Sequence, residues 1–233
     1  MKRSVIFLMV ISMFAVVAVQ AQKKAAFYTA GKYTGIKPSG KPYVDFEGID
    51  VYLAQSADAT YALVTRANGI RLEPQLVEVK TSGKDKRSIE FSITDKKVGT
   101  IVFQGTVTPA GIKLEKGEAA VGLESGAVLK RSCGGTFSDI KLGKGGDYDG
   151  MEVYLVDGGW RWWALVTTAE GTIDTPILVE AKVTGKKFNN VVLTLPGNRD
   201  GRVMAGTISA DRSTLTLKDT DGARTTLRSK CYK

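Results

Sequence analysis

The chain has 233 residues, with 33 basic against 24 acidic side chains, two cysteines and no histidine, for a net charge of +9 at pH 7. Without histidine it cannot by itself assemble a serine–histidine or cysteine–histidine catalytic pair, a histidine-ligated zinc site or a histidine pH switch, which leaves carboxylate, lysine, tyrosine or cofactor chemistry. The basic surplus is scattered, with short clusters at Lys84-Asp85-Lys86-Arg87 and Lys96-Lys97, and reads as solvated turns that bear on solubility and encounter rather than fold.

Lys2 and Arg3 precede an apolar run from Val5 to Val19 that ends in Val19-Gln20-Ala21, the pattern of a secretory signal peptide cut after Ala21. The run is shorter than the roughly 20 residues of a membrane span. No cysteine follows the cut for a lipid anchor, and no later segment is apolar enough to insert stably in a membrane. Removing residues 1–21 takes away two bases and no acids, so 31 bases against 24 acids leave +7 on the mature chain. The expected location is periplasmic or secreted, where nucleic acid is not an expected partner.

In the first module, spanning 22–133, short β-rich runs fall near 27–35, 48–55, 60–67, 75–81, 88–94, 99–108, 111–116 and 126–132, separated by glycine and charged turns. Ile49, Val51 and Leu53 alternate with Asp50 and Tyr52, and Ile89, Phe91 and Ile93 with Glu90 and Ser92, so one face of each strand is expected inside and the other wet. Asp45, Glu47 and Asp50 enter the second run through Gly48. The module ends at Cys133.

From Gly134 the pattern repeats. Shifting the chain by 102 residues lays Asp45–Lys84 over Asp147–Lys186 without a gap, with 18 of 40 pairs identical. The second module, 134–233, has runs near 135–141, 150–157, 161–168, 176–184, 188–195, 202–209, 213–218 and 223–230. Its acids Asp147, Asp149 and Glu152 repeat the first module's trio. Three carboxylates reached through a glycine could ligate calcium, but the further ligand and bidentate glutamate of a calcium loop do not follow; a turn with solvated acids is the alternative. No other cofactor is expected.

All three tryptophans lie in Trp160-Arg161-Trp162-Trp163, at a hairpin tip. Trp163 lies over Tyr61, so an aromatic there belongs to both modules, whereas Trp160 and Trp162 lie over Asp58 and Thr60 and are additions. Trp160, Arg161 and Trp162 suit stacking on a sugar or insertion into a protein pocket; the alternative is packing against the first module. Glu78 and Glu180 recur within apolar strands and are expected to face water. Cys133 and Cys231 occupy equivalent ends of the modules. In an oxidising compartment they could bond if their Cα atoms lie within about 7 Å, or each could fill a strand end.

Eight short antiparallel runs per module favour an all-β fold of two tandem homologous modules, each a small eight-stranded meander barrel whose last strand closes on its first; a two-sheet sandwich is the other architecture with this pattern. Gly31-Lys32-Tyr33 and Gly135-Thr136-Phe137 on the first strands, with Lys130-Arg131 and Arg228 on the last, resemble the calycin barrels (lipocalins and avidins), which open on Gly-x-Trp and lay a cation across that ring. The resemblance implies closed barrels and ligand binding, with tyrosine or phenylalanine in place of the tryptophan.

These features point to an exported, non-catalytic binding or interaction protein with its contact surface on the second module and a protein or glycan as partner. A carboxylate-dependent hydrolase and a carrier of a small apolar ligand within a barrel are the alternatives.

Overall fold

The computed structural model describes residues 30–38, 46–117, 123, 125–196 and 201–231. The signal segment and Asp45 lie outside these. The first module runs β1 (Gly31–Thr34), β2 (Lys37–Pro38), β3 (Phe46–Gln55), β4 (Thr60–Arg71), β5 (Gln75–Ser82), β6 (Ser88–Asp95), β7 (Gly99–Thr108), β8 (Gly111–Lys116) and β9 (Val128–Ser132). The second runs β10 (Thr136–Ser138), β11 (Lys141–Leu142), β12 (Tyr148–Asp157), β13 (Trp162–Ile173), β14 (Ile177–Thr184), β15 (Asn190–Leu195), β16 (Arg202–Ile208), β17 (Thr214–Asp219) and β18 (Arg224–Ser229).

Each module is a closed eight-stranded antiparallel barrel with one extra strand. Closure rests on the first strand, which pairs on both sides: Tyr33 faces Val51 and Arg131 in the first barrel, and Phe137 faces Val153 and Ser229 in the second. A closed meander leaves no long edge for another chain to extend.

The first strand expected near 135–141 is split in two, and a short β2 follows the one expected near 27–35; Gly48 and Gly150 show why. They occupy equivalent repeat positions at φ +113° and +123°. A Cβ on Gly48 would collide with the carbonyl of Gly35, and one on Gly150 would stand 2.9 Å from that of Asp139. The chain therefore crosses its neighbour at van der Waals limits, and only a short second piece, β2 or β11, pairs beyond the crossing. The glycine of the acid motif has a structural purpose in both modules.

Side chains fill both interiors. Tyr33, Val51, Phe91, Phe103, Ile112 and Leu129 belong to one core, with the Phe91 and Phe103 rings stacked at 5.3 Å. Phe137, Val153, Leu193, Met204, Leu215 and Leu227 belong to the other. Eight strands leave room for about this much side chain and little more. Arg131 lies over the Tyr33 ring at 5.6 Å, the cation–aromatic pair that the first strand suggested. Arg228 does not repeat it: Arg228 is exposed opposite Ser138, and Ser229 occupies the place facing Phe137.

A third apolar cluster joins the barrels. Tyr52, Ala54 and Leu63 on the outside of β3 and β4 meet Tyr154, Val156 and Leu165 on the outside of β12 and β13, with Trp163, Leu76 and Leu178 at the margin. The expectation of a wet outer face is corrected here: Asp50 is 5% and Tyr52 2% exposed, and the other barrel covers Tyr52. The contact is self-complementary. Equivalent residues Tyr52 and Tyr154 stack on each other at 4.1 Å and 9°. Ala57 N–H donates to the Ile173 carbonyl at 2.9 Å, while Gly159, the equivalent of Ala57, presses on the carbonyl of Arg71, the equivalent of Ile173. Cys133 and Cys231 are bonded to each other, with Cα atoms 5.0 Å apart, which settles the open pairing. Contacts between equivalent residues lie on a two-fold axis, so the modules associate as subunits of an isologous dimer do.

Candidate binding surface at one end of the second barrel

Antiparallel register puts the β12–β13, β14–β15 and β16–β17 turns at one end of the second barrel, and the sequence-selected aromatics sit there. The β12–β13 tip is held from several sides. Gly159 N–H donates to Asp157 Oδ1 at 2.9 Å, Gly158 N–H to the Arg161 carbonyl at 2.8 Å, and Arg161 Nη1 to Glu180 Oε2 at 2.9 Å. Gly159, at φ +89°, seats the tip on the Arg71 carbonyl of the first barrel.

From that tip the tryptophans diverge. Trp160 projects outward and is 85% exposed. Strand alternation then turns Trp162 toward the barrel interior, where it packs on the second core, and Trp163 outward into the cluster between the barrels. The expected trio Trp160, Arg161 and Trp162 therefore forms no flat platform. Arg161 braces the tip through Glu180, which faces water, as does Glu78.

Sequence reasoning missed Phe188. Its ring lies 6.2 Å from that of Trp162, is 57% exposed, and stands on a backbone at φ +51°. The repeat places it over Lys86, also at positive φ, so the test that singled out Trp160 and Trp162 would have marked Phe188 as an addition too. Beside it lies a pocket of about 250 Å³ lined by Lys187, Phe188, Asn189, Ile208, Ser209 and Arg212. The β16–β17 turn forms its far wall. Ser209 Oγ donates to Asp211 Oδ1 at 2.5 Å and accepts from Ser213 N–H at 3.1 Å and Thr214 N–H at 3.0 Å. The Ser209 hydroxyl, followed by the Ser213 N–H, holds the Asp211 carboxyl down at about pKa 2.

The acid trio is dispersed. Asp147 and Asp149 are exposed, Asp149 opposite Lys141 and Glu170 in the sheet, while Glu152 is 7% exposed between the barrels. Glu152 Oε1 accepts a 2.7 Å bond from the Tyr52 hydroxyl, and Lys230 Nζ lies 3.6 Å from its other oxygen. Its counterpart Asp50 accepts from Thr34 Oγ1 at 2.5 Å and Ile36 N–H at 3.3 Å. Burial, with Asp50 nearby, pushes the Tyr154 hydroxyl well above the usual phenol range. Among the described residues no three acidic or cysteine side chains gather as a metal site would require, and no helix is long and apolar enough to cross a membrane.

Comparison with family models, curated proteins and solved structures found no match to this chain.

Proposed function

We propose that this is an exported, non-catalytic binding protein whose contact surface is the hairpin-tip end of the second barrel, with Trp160 as its anchor. The supporting observation is a large aromatic side chain, 85% exposed, on a tip fixed to both barrels, where the first module has Asp58. An indole held in water costs solvation that packing does not return, and a rigid aromatic is the residue type that contributes most when a partner covers it. Arg161 and Trp162 support the tip from below. Filled barrel interiors weigh against carriage of a small apolar ligand, and the structural bonds of Asp50 and Glu152 weigh against a catalytic carboxylate pair.

The test is Trp160→Ala in the full mature chain, compared with wild type on a glycan array and in pull-downs with exported proteins. Loss of the wild-type signal at an unchanged melting temperature supports the reading. Signals that survive the substitution undiminished refute it.

A further inference from the structure

We infer that the pocket beside Phe188 is a subsite for an acidic saccharide, with Phe188 stacking on a sugar ring while Lys187 and Arg212 meet its carboxylate or sulfate. The inference rests on the binding reading above and adds to it a ligand class and residues away from the β12–β13 tip.

Three observations carry it. The first is that the contact with the Trp162 ring leaves more than half of Phe188 open to solvent. It is 57% exposed on left-handed backbone that L residues adopt at a cost, and the first module puts a lysine there with the same geometry. An aromatic added at such a position offers a face to something outside the fold.

Charge is the second. Lys187 and Arg212 line the pocket, and among the described residues neither has an ion pair. The nearest acid in the same turn, Asp211, is engaged by the Ser209 hydroxyl and the Ser213 N–H. The free positive charge selects an anion.

The third is the shape and lining. In the first barrel Thr108 and Gly111 close the equivalent turn directly, whereas in the second Ile208 and Thr214 are joined through Ser209–Ser213, and this longer turn builds the far wall. The resulting volume, about 250 Å³, falls just below the usual range for drug-sized ligands and suits one monosaccharide unit of a longer chain. Ile208 and Ala210 form an apolar side, while Asn189 brings an amide suited to sugar hydroxyls. A flat polar ring carrying negative charge finds all three elements.

Calorimetric titration of the full mature chain with hexasaccharides of galacturonate, glucuronate and mannuronate, heparin-derived hexasaccharide, neutral cellohexaose and hexaglutamate tests this. At least one acidic saccharide should bind, cellohexaose and hexaglutamate should not, and affinity should fall as salt rises. Phe188→Gly, which keeps a residue tolerant of positive φ, and the double variant Lys187→Gln with Arg212→Gln should each weaken binding at least about tenfold, with melting temperature held. Equal binding of cellohexaose or hexaglutamate, no binding of any acidic saccharide, or wild-type affinity in the pocket variants would overturn the inference. If the pocket variants bind normally while Trp160→Ala does not, the contact surface stands and only the pocket assignment fails; if Trp160→Ala also binds as wild type, both fail.

Discussion

The Cys133–Cys231 bond encloses the whole second barrel in its loop and leaves the first barrel outside, an asymmetry that can be measured. The two residues are 98 apart in sequence. Loop-closure entropy for about 100 residues amounts to about 4.7 kcal/mol, an upper figure; native disulfides of this kind usually contribute about 2–5 kcal/mol. Replacing both cysteines by serine should therefore destabilise the second barrel by about 2–4 kcal/mol. The sequence provides a selective reporter, since all three tryptophans lie in that barrel. In a urea titration followed by tryptophan fluorescence, a slope of about 1–3 kcal/mol per molar converts this loss into a midpoint lower by about 0.7–4 M. Reducing the wild-type protein should reproduce the shift. Tyrosine fluorescence, drawn from both modules, should split into two transitions if the contact between barrels is weaker than the loss. A double-serine midpoint within about 0.2 M of wild type would refute the view that the bond constrains the unfolded second module.

Tyr52→Phe keeps the ring stack on Tyr154 and removes the hydroxyl that donates to Glu152. Leaving that buried carboxylate short of a donor should cost about 1–3 kcal/mol in urea unfolding; a change below about 0.3 kcal/mol would show that its other partners satisfy it. Gly159→Ala should destabilise more than Gly171→Ala, although both glycines have similar φ, at +89° and +81°, because only the first Cβ meets the carbonyl of Arg71. The difference in thermal midpoints isolates the seat between the barrels, and equal midpoints would argue against it. Asp95 is held at about pKa 2, below its ordinary 3.8, first by the Val98 N–H and then by Arg66. A carboxyl more acidic in the folded state stabilises the fold above about pH 4, and that contribution is lost as pH falls toward 2. Asp95→Asn should thus flatten the acid limb of the stability curve between pH 4 and 2; an unchanged slope there, by chemical denaturation at stepped pH, would contradict the assignment.

Read as a binding protein, the molecule uses duplication economically. One module builds a rigid barrel, the two-fold contact joins two of them, and departures from the repeat then mark where the copies specialised. Trp160, Trp162, Phe188 and the longer Ser209–Ser213 turn all belong to the second copy and gather at one end of it.

The amino-acid pattern alone determined the duplication, the strands and the choice of inward side chains. Alternation of Ile49, Val51 and Leu53 is a local property of pleated backbone, and burying such a stripe in a short meander leads to a closed barrel almost without choice. The fate of the opposite stripe was not local. Asp50 and Tyr52 read as part of a polar outer face, and only the tertiary structure buries them, Tyr52 beneath residues about 100 positions away in the other module. The same holds for the disulfide, since equivalent positions in a repeat meet only if the modules are related by a two-fold axis through them. It holds also for the aromatic cluster: four adjacent residues looked like one surface, yet strand alternation sends Trp160, Trp162 and Trp163 to solvent, barrel and interface, while the ring that Trp162 meets, Phe188, comes from another hairpin. Composition and period decide which face of a strand turns inward; what covers the other face depends on how whole modules meet in space.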